Sequence, residues 1–401
     1  MAASGIGASD MITATVTGAK FGRALLWALL LGALLKFVLS ECIARWQLAT
    51  GKTVLEGWAC YLPKWVLIGF IGYLAFWSIA VSGALVSACG LAVETLSVGL
   101  IPRSWGGLAH AVAAYALIRF GTHRLDATRW MKPLIAVMFF TMAACAAMTL
   151  KEPVSALRGL FVPSLPPSSK PYIFSIIGGI GGSVTLLAYS YLLREESAVD
   201  LRQLSRVRLD LGVSYAFTAM FGISVVLIAE RVFYVEGIAA SNRDAVAGIA
   251  NHLNTLLGPL GYFIYAGGFW AAVAASLLGV WRTIPSVFAD AFAGLRRDAS
   301  VRTSPALSLG SPVYRMALLG MAIAGVPFAF QGSPLVIIIG FTIIGSLFIP
   351  FLACTLLMLD RVMVRRLRIP GNGMLTNGIM MVIVVLYLWI GALEIRTLFS
   401  R

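Results

Sequence analysis

Eleven apolar segments constrain this chain more than any other feature. Residues 1–18 form a partial one, followed by Phe21–Trp46, Trp65–Val93, Trp105–Phe120, Met131–Leu150, Tyr172–Leu193, Leu211–Val232, Leu257–Phe288, Tyr314–Phe330, Leu335–Leu359 and Leu375–Ile395. About 18 or more apolar residues are what a helix needs to cross the hydrocarbon of a bilayer. With 59% hydrophobic and only 12% charged residues, the chain has no soluble core in which to bury them all. Barrel strands would instead alternate over about ten residues, and no such alternation occurs. The expectation is an all-α polytopic membrane protein, one transmembrane domain over 1–401, with about eleven spans of which the first is incomplete.

The net charge of +14 does not point to nucleic acid, because the basic residues lie between apolar runs, where topology and anionic headgroups account for them. If the chain starts inside, 20 of its 31 Lys and Arg fall on the inner side and ten on the outer, with Lys36 left within a span. That asymmetry predicts a multi-pass protein of the plasma membrane with its N-terminus cytoplasmic and its C-terminus outside. Pro163-Ser164-Leu165-Pro166-Pro167 reads as a loop, and Glu236–Thr255 as the longest polar connection, on the outside. Cys42, Cys60, Cys89, Cys145 and Cys354 lack paired spacing, so they imply neither a metal motif nor a disulfide framework, and each is expected to pack as a small apolar group. No basic n-region precedes an apolar core at the start, so no cleavable signal peptide is expected. Oligomeric state is not set by the sequence.

Within this frame a glycine cluster occurs twice. Gly5-Ile6-Gly7-Ala8-Ser9 lies in segment one and Gly179-Ile180-Gly181-Gly182-Ser183 in segment six. Each Gly lowers helix stability by about 0.8–1 kcal/mol relative to Ala, so both clusters favour a local break. Broken backbone in lipid is tolerated only where it is buried in protein or lines a cavity, as in the ion and substrate sites of secondary transporters. An odd number of crossings separates the two, so they run in opposite directions. That is an inverted repeat, with halves at 1–150 and 172–359 and an extra segment at 375–395. The alternative is a pair of small-residue packing faces.

Asp10 follows the first break directly, and a carboxylate deep in a membrane marks a functional site by default. Thr13 and Thr17 share its helix face, Ser9 adjoins it, and Ser183 and Thr185 follow the second break. With carbonyls freed near Ile6, Gly7, Gly181 and Gly182, these groups make an oxygen-only set suited to a hard cation. The alternative for Asp10 is an N-cap on the second half-helix, and the two roles are compatible. Lys36 must pair, snorkel to the interface or lose its charge; Asp10 and Glu94 are candidate partners. Glu41, Glu94, Glu230, Asp360 and Glu394 lie near helix ends, where solvated or headgroup placement is the default. Arg194, Glu195 and Glu196 form either a cytoplasmic gate or a solvated cluster. His110, His123 and His252 belong to no HExxH pattern, and nothing fits GxxxxGK[ST], so neither an enzyme nor a self-contained ATP-driven pump is indicated. No cofactor is implied.

Thr17-Gly18-Ala19-Lys20-Phe21-Gly22 leading into Leu25-Leu26-Trp27, then Ala44-Arg45-Trp46 and Thr50-Gly51-Lys52, resembles the first loop and second helix of the Nramp family of divalent-metal transporters. The resemblance extends more weakly through all segments, with Pro350-Phe351 matching a recurrent Pro-Phe in segment ten. It implies a LeuT-type inverted-repeat fold, a cytoplasmic N-terminus, an ion held by unwound segments one and six, and symport. The signature residues depart from the family. Its Asp-Pro-Gly-Asn falls on Gly7-Ala8-Ser9-Asp10 and its Met-Pro-His on Gly182-Ser183-Val184, while its acidic proton-route residues fall near Ser82 and Leu85, which do not titrate. Loss of the Met thioether removes a soft ligand and weakens discrimination for manganese or iron over magnesium or calcium. Met1 falls inside the half-helix that should precede the break, so the working protein is expected to begin upstream. The sequence therefore points to an alternating-access carrier of a divalent metal cation. A carrier of a small organic solute such as an amino acid, and a non-transporting membrane sensor or scaffold, are the alternatives.

Overall fold

A computed structural model of the chain describes residues 7–121, 128–195, 200–236, 244–296, 310–331 and 334–399. Helices account for all of its regular structure, with no strand among the described residues. In chain order they are α1 (Ala8–Phe21), α2 (Leu26–Thr50), α3 (Val54–Tyr61), α4 (Lys64–Leu96), α5 (Arg103–Phe120), α6 (Thr128–Thr149), α7 (Pro153–Phe161), α8 (Lys170–Gly179) and α9 (Ala188–Glu195). The second half adds α10 (Leu204–Ala229), α11 (Asp244–Leu257), α12 (Pro259–Arg296), α13 (Pro312–Gly325), α14 (Pro334–Ser346), α15 (Phe348–Val362) and α16 (Met374–Phe399).

Among the described residues, eight helical stretches are long and apolar enough to cross a membrane. The first, Ser9–Thr50, covers two of the segments read from sequence because it bends at Gly22, whose φ of 53° lies in the left-handed region. Helices α5 and α16 cover two more, so each of the eleven segments is mainly helical over its described residues. Trp65, Ile68, Phe76 and Ile79 of α4 stand exposed on its outer side. A helix apolar on all faces, half of it uncovered by protein, suits hydrocarbon and not water.

At the centre lies α1. Met11, Ile12, Ala14 and Val16 are buried, and so are the polar Asp10, Thr13, Thr15 and Thr17. The helix packs against α8, α10, α11, α12 and α14. Its approach to α10 is close: a Cβ at Gly18 would fall 2.5 Å from the Val226 carbonyl oxygen.

Three departures from the sequence reading have clear causes. The connection at 236–255 is not simply a polar loop, since α11 occupies its second part. Ala245, Val246, Ile249, Ala250 and Leu253 are fully buried along one face of that helix, and its polar residues conceal the helical spacing. Segment ten is two helices interrupted at Leu347, because Pro350 has no N–H to donate to the carbonyl of Ser346. The five cysteines are free, as expected, but Cys60 and Cys354 are exposed and pack no core.

Charged groups are gathered at both ends of α2, a helix of 25 residues and therefore about 37 Å long. At its start, Arg23 donates through Nε to Glu230 Oε2 at 2.7 Å and through a terminal nitrogen to the Glu152 carbonyl at 2.8 Å. Ser164 Oγ donates to the Ala24 carbonyl and Trp27 Nε1 to the Ser164 carbonyl, so the strap made by α7 and the Pro-rich loop is pinned to the α1–α2 bend. At the far end, Glu41 Oε1 accepts from Arg45 at 3.0 Å and from Arg208 at 2.9 Å. Asp360 Oδ1 accepts from the Asn372 N–H and Oδ2 from Asn377 Nδ2. The solvated placement expected of Glu41, Glu230 and Asp360 is therefore not what the fold uses. The side chains of Arg194, Glu195 and Glu394 lie outside what the structure describes, as do Glu196 and His123 altogether.

Glu41→Gln is expected to destabilise the protein by about 2 kcal/mol, below the usual figure for breaking a buried pair because Arg208 is 47% exposed and can rehydrate. Thermal unfolding in detergent measures this; an unchanged midpoint would show that the cluster adds no stability.

Candidate cation site

The two breaks face each other. Gly7 is extended, with φ −112° and ψ 170°, and starts α1; Gly5 and Ile6, the earlier part of the first glycine cluster, lie outside the described residues. The N-cap is Gly7 and not Asp10, which stands at the third helical position and accepts from the Gly7 N–H through Oδ2 at 2.7 Å, the reciprocal half of a capping box. Capping uses only one oxygen. Oδ1 is buried and has no hydrogen-bond partner, with the Gly181 amide and the Lys36 ammonium as its electrostatic neighbours.

The second break is built by glycine. Helix α8 ends at Gly179, Gly181 and Gly182 take φ of 62° and 75°, and the chain turns through a short tight helical turn, Val184–Leu187, into α9. Two successive left-handed residues cost glycine little and would strain any residue with a Cβ. The break leaves carbonyls at the C-terminal end of α8, which carries the negative end of the helix dipole. Ser9 Oγ reaches the Gly179 carbonyl at 3.4 Å, and Thr13 Oγ1 donates to the Ser9 carbonyl at 2.7 Å. Ser9 and Thr13 thus meet Gly179, and Asp10 lies beside Gly181, across the junction of α1 and α8, while Gly7 faces Ser276 of α12 and Gly182 faces Thr185 and Lys36.

Two residues expected here turn elsewhere. Ser183 Oγ is buried without a partner and is aimed at Gly345 of α14, where Trp77 Nε1 also ends unpaired. Thr185 lies folded over Gly182, its Oγ1 filling the place that a side chain there would need. Thr17 is buried on α1 with its hydroxyl unpaired.

Two residues that the sequence reading did not place here belong to the site. Lys36, fully buried in α2, donates from Nζ to the carbonyls of Gly178 and Gly182. The direct partners are backbone carbonyls; of the two carboxylates expected, Asp10 is an electrostatic neighbour without forming a direct ion pair. Tyr215 of α10 presses its ring on Gly181 and shares a 2.8 Å hydrogen bond with Ser40, one turn beyond Lys36. The available signal was a run of polar side chains, Lys36, Ser40 and Tyr215, within otherwise apolar spans.

Chemically, the site offers one carboxylate, two hydroxyls and main-chain carbonyls. Among the described residues no three His, Cys, Asp or Glu gather as metal ligands. The set is all oxygen, which favours hard cations.

A family model described as natural resistance-associated macrophage protein-like matches residues 1–400. The chain belongs to the Nramp family. Among curated Nramp proteins, natural resistance-associated macrophage protein 1 of Bison bison is 25% identical over 67% of this chain and 54% of its own length. The chain spans about half the length of the first curated Nramp relatives it matches. Among solved structures, a mutant of the Eremococcus coleocola manganese transporter superposes with a TM-score of 0.69 at 15% identity, covering 96% of this chain and 82% of that one. Mhp1, a nucleobase-cation-symport-1 family transporter, superposes with a TM-score of 0.54 at 15% identity over 92% of this chain and 77% of its own. These likenesses establish the LeuT-type fold for this Nramp chain. Their level of identity carries no more than the fold.

Proposed function

We propose that this chain is a secondary transporter that moves a divalent metal cation across the membrane by alternating access. One observation carries the reading: Asp10 sets a buried carboxylate oxygen with no hydrogen bond of good geometry beside Gly181, at the break of the second helix. A cation is what completes that arrangement. Asp10 is the charged ligand, with Ser9, Thr13 and the carbonyls of Gly7, Gly181 and Gly182 beside it. Ser183 and Thr185 join this set only if the second break rearranges during the cycle. Membership of the Nramp family supports the substrate class, as does the fold shared with the Eremococcus coleocola manganese transporter. The repeat halves are 1–150 and 172–359, with 375–395 as an extra segment outside both. The charge asymmetry supports plasma-membrane insertion with the N-terminus inside.

Uptake into proteoliposomes loaded with a metal-sensitive dye tests this. Saturable manganese entry is expected, with magnesium and calcium competing within about tenfold of manganese because no thioether is present to favour the softer ion. Absence of saturable entry for all three ions would sink the proposal.

A further inference from the structure

The Lys36 ammonium occupies the position that the chemistry of the break reserves for a cation. It sits within α2, fully buried, and donates to the carbonyls of Gly178 and Gly182. Those carbonyls flank the break and lie at the negative end of α8. Among the described residues Lys36 makes no ion pair with any carboxylate. The Asp10 carboxylate is its electrostatic neighbour, and Oδ1 makes no hydrogen bond of good geometry, with the Gly181 N–H beside the carboxylate. The positive charge is therefore held by the backbone, and the negative charge keeps one oxygen open.

We propose that Lys36 is a tethered cation that fills the carbonyl seat of the broken helix in the metal-free protein and must be displaced for the metal to bind. This rests on the divalent-metal reading of the same site. An ammonium has three donors and no acceptor, so it satisfies carbonyls as a metal ion does. A divalent ion held by Asp10 and by carbonyls at Gly181 and Gly182 would meet that ammonium at close range, and like charges in a buried site repel strongly. The side chain is permanently attached, so it competes at the high local concentration of an intramolecular ligand. Its four-carbon stem allows it to leave without moving the backbone. Lys36 thereby sets the metal affinity of the site and keeps the break occupied when no metal is bound.

Calorimetry with manganese on purified full-length protein tests this with Lys36→Gln, Lys36→Met and Lys36→Arg. Both neutral variants are expected to bind manganese at least tenfold more tightly than wild type, and the arginine variant no more tightly. Tight binding by the neutral variants where wild type binds none would support the proposal equally. If wild type binds and the neutral variants bind equally or more weakly, the tethered cation is overturned while the metal reading stands. If neither wild type nor a folded neutral variant binds manganese, magnesium or calcium, both are overturned. Should neither neutral variant fold, wild-type protein labelled with 13C at lysine Cε provides the test. One buried lysine resonance is expected to move as magnesium saturates the site, and a spectrum unchanged at saturation would overturn the displacement.

Discussion

Asp10→Asn is expected to reduce manganese affinity at least 100-fold while leaving the fold intact. An asparagine side-chain oxygen can accept the Gly7 N–H as the carboxylate does, so this bond and the start of α1 are preserved. Only the charge is lost. No cluster of acidic, His or Cys ligands is present to replace it among the described residues, and the Lys36 ammonium remains beside the site. A 100-fold loss corresponds to about 2.7 kcal/mol, within what removing one charged partner from a buried site commonly costs. Asp10→Ala should show the same loss of binding and, in addition, about 1 kcal/mol of destabilisation from the lost bond to the Gly7 N–H. Calorimetry and thermal unfolding on the same samples separate the two roles. Wild-type affinity in a folded asparagine variant would remove Asp10 from the site.

Two adjacent glycines are expected to behave in opposite ways. A Cβ at Gly178 would lie 2.1 Å from the Thr342 carbonyl oxygen and 2.9 Å from the Ser346 nitrogen, both backbone atoms that cannot swing aside. Gly178→Ala must therefore push α8 away from α14, with an expected loss of about 3 kcal/mol, at the upper end for overpacking, and loss of transport as the break shifts. At Gly179 the same Cβ would meet Thr342 Cγ2 at 3.4 Å and Thr13 Oγ1 at 3.5 Å, which is ordinary contact. Gly179→Ala should stay within about 0.5 kcal/mol of wild type in stability. Unfolding midpoints measured side by side decide it. Equal effects at the two positions would mean that the α8–α14 contact is looser than the structure shows.

The sequence was most readable where one physical rule dominates. Lipid demands long apolar helices, so segments such as Trp65–Val93 could be located from hydropathy alone. The break at Gly181 and Gly182 was visible because few residues other than glycine tolerate that backbone. Information that depends on which helix faces which was not available. Nothing in the string states that Lys36 meets the carbonyls of Gly178 and Gly182, more than 140 positions away, or that Tyr215 leans on Gly181. Glu41 and Asp360 looked like interfacial acids until their partners Arg208 and Asn377 were brought to them by folding. Helix α11 was obscured by a different cause, the polar face that made its stretch resemble a loop.

The pinning of the α7 strap to the α1–α2 bend has a mechanical consequence. Arg23 is held by Glu152 and Glu230, and Ala24 and Trp27 by Ser164, while a Cβ at Gly159 would sit only 2.5 Å from the Arg23 carbonyl oxygen. With no slack between them, the bend and the strap form one rigid crank. A tilt of α1 at the Asp10 end is expected to swing this crank at the other, so a lever arm joins the buried site to one face of the membrane.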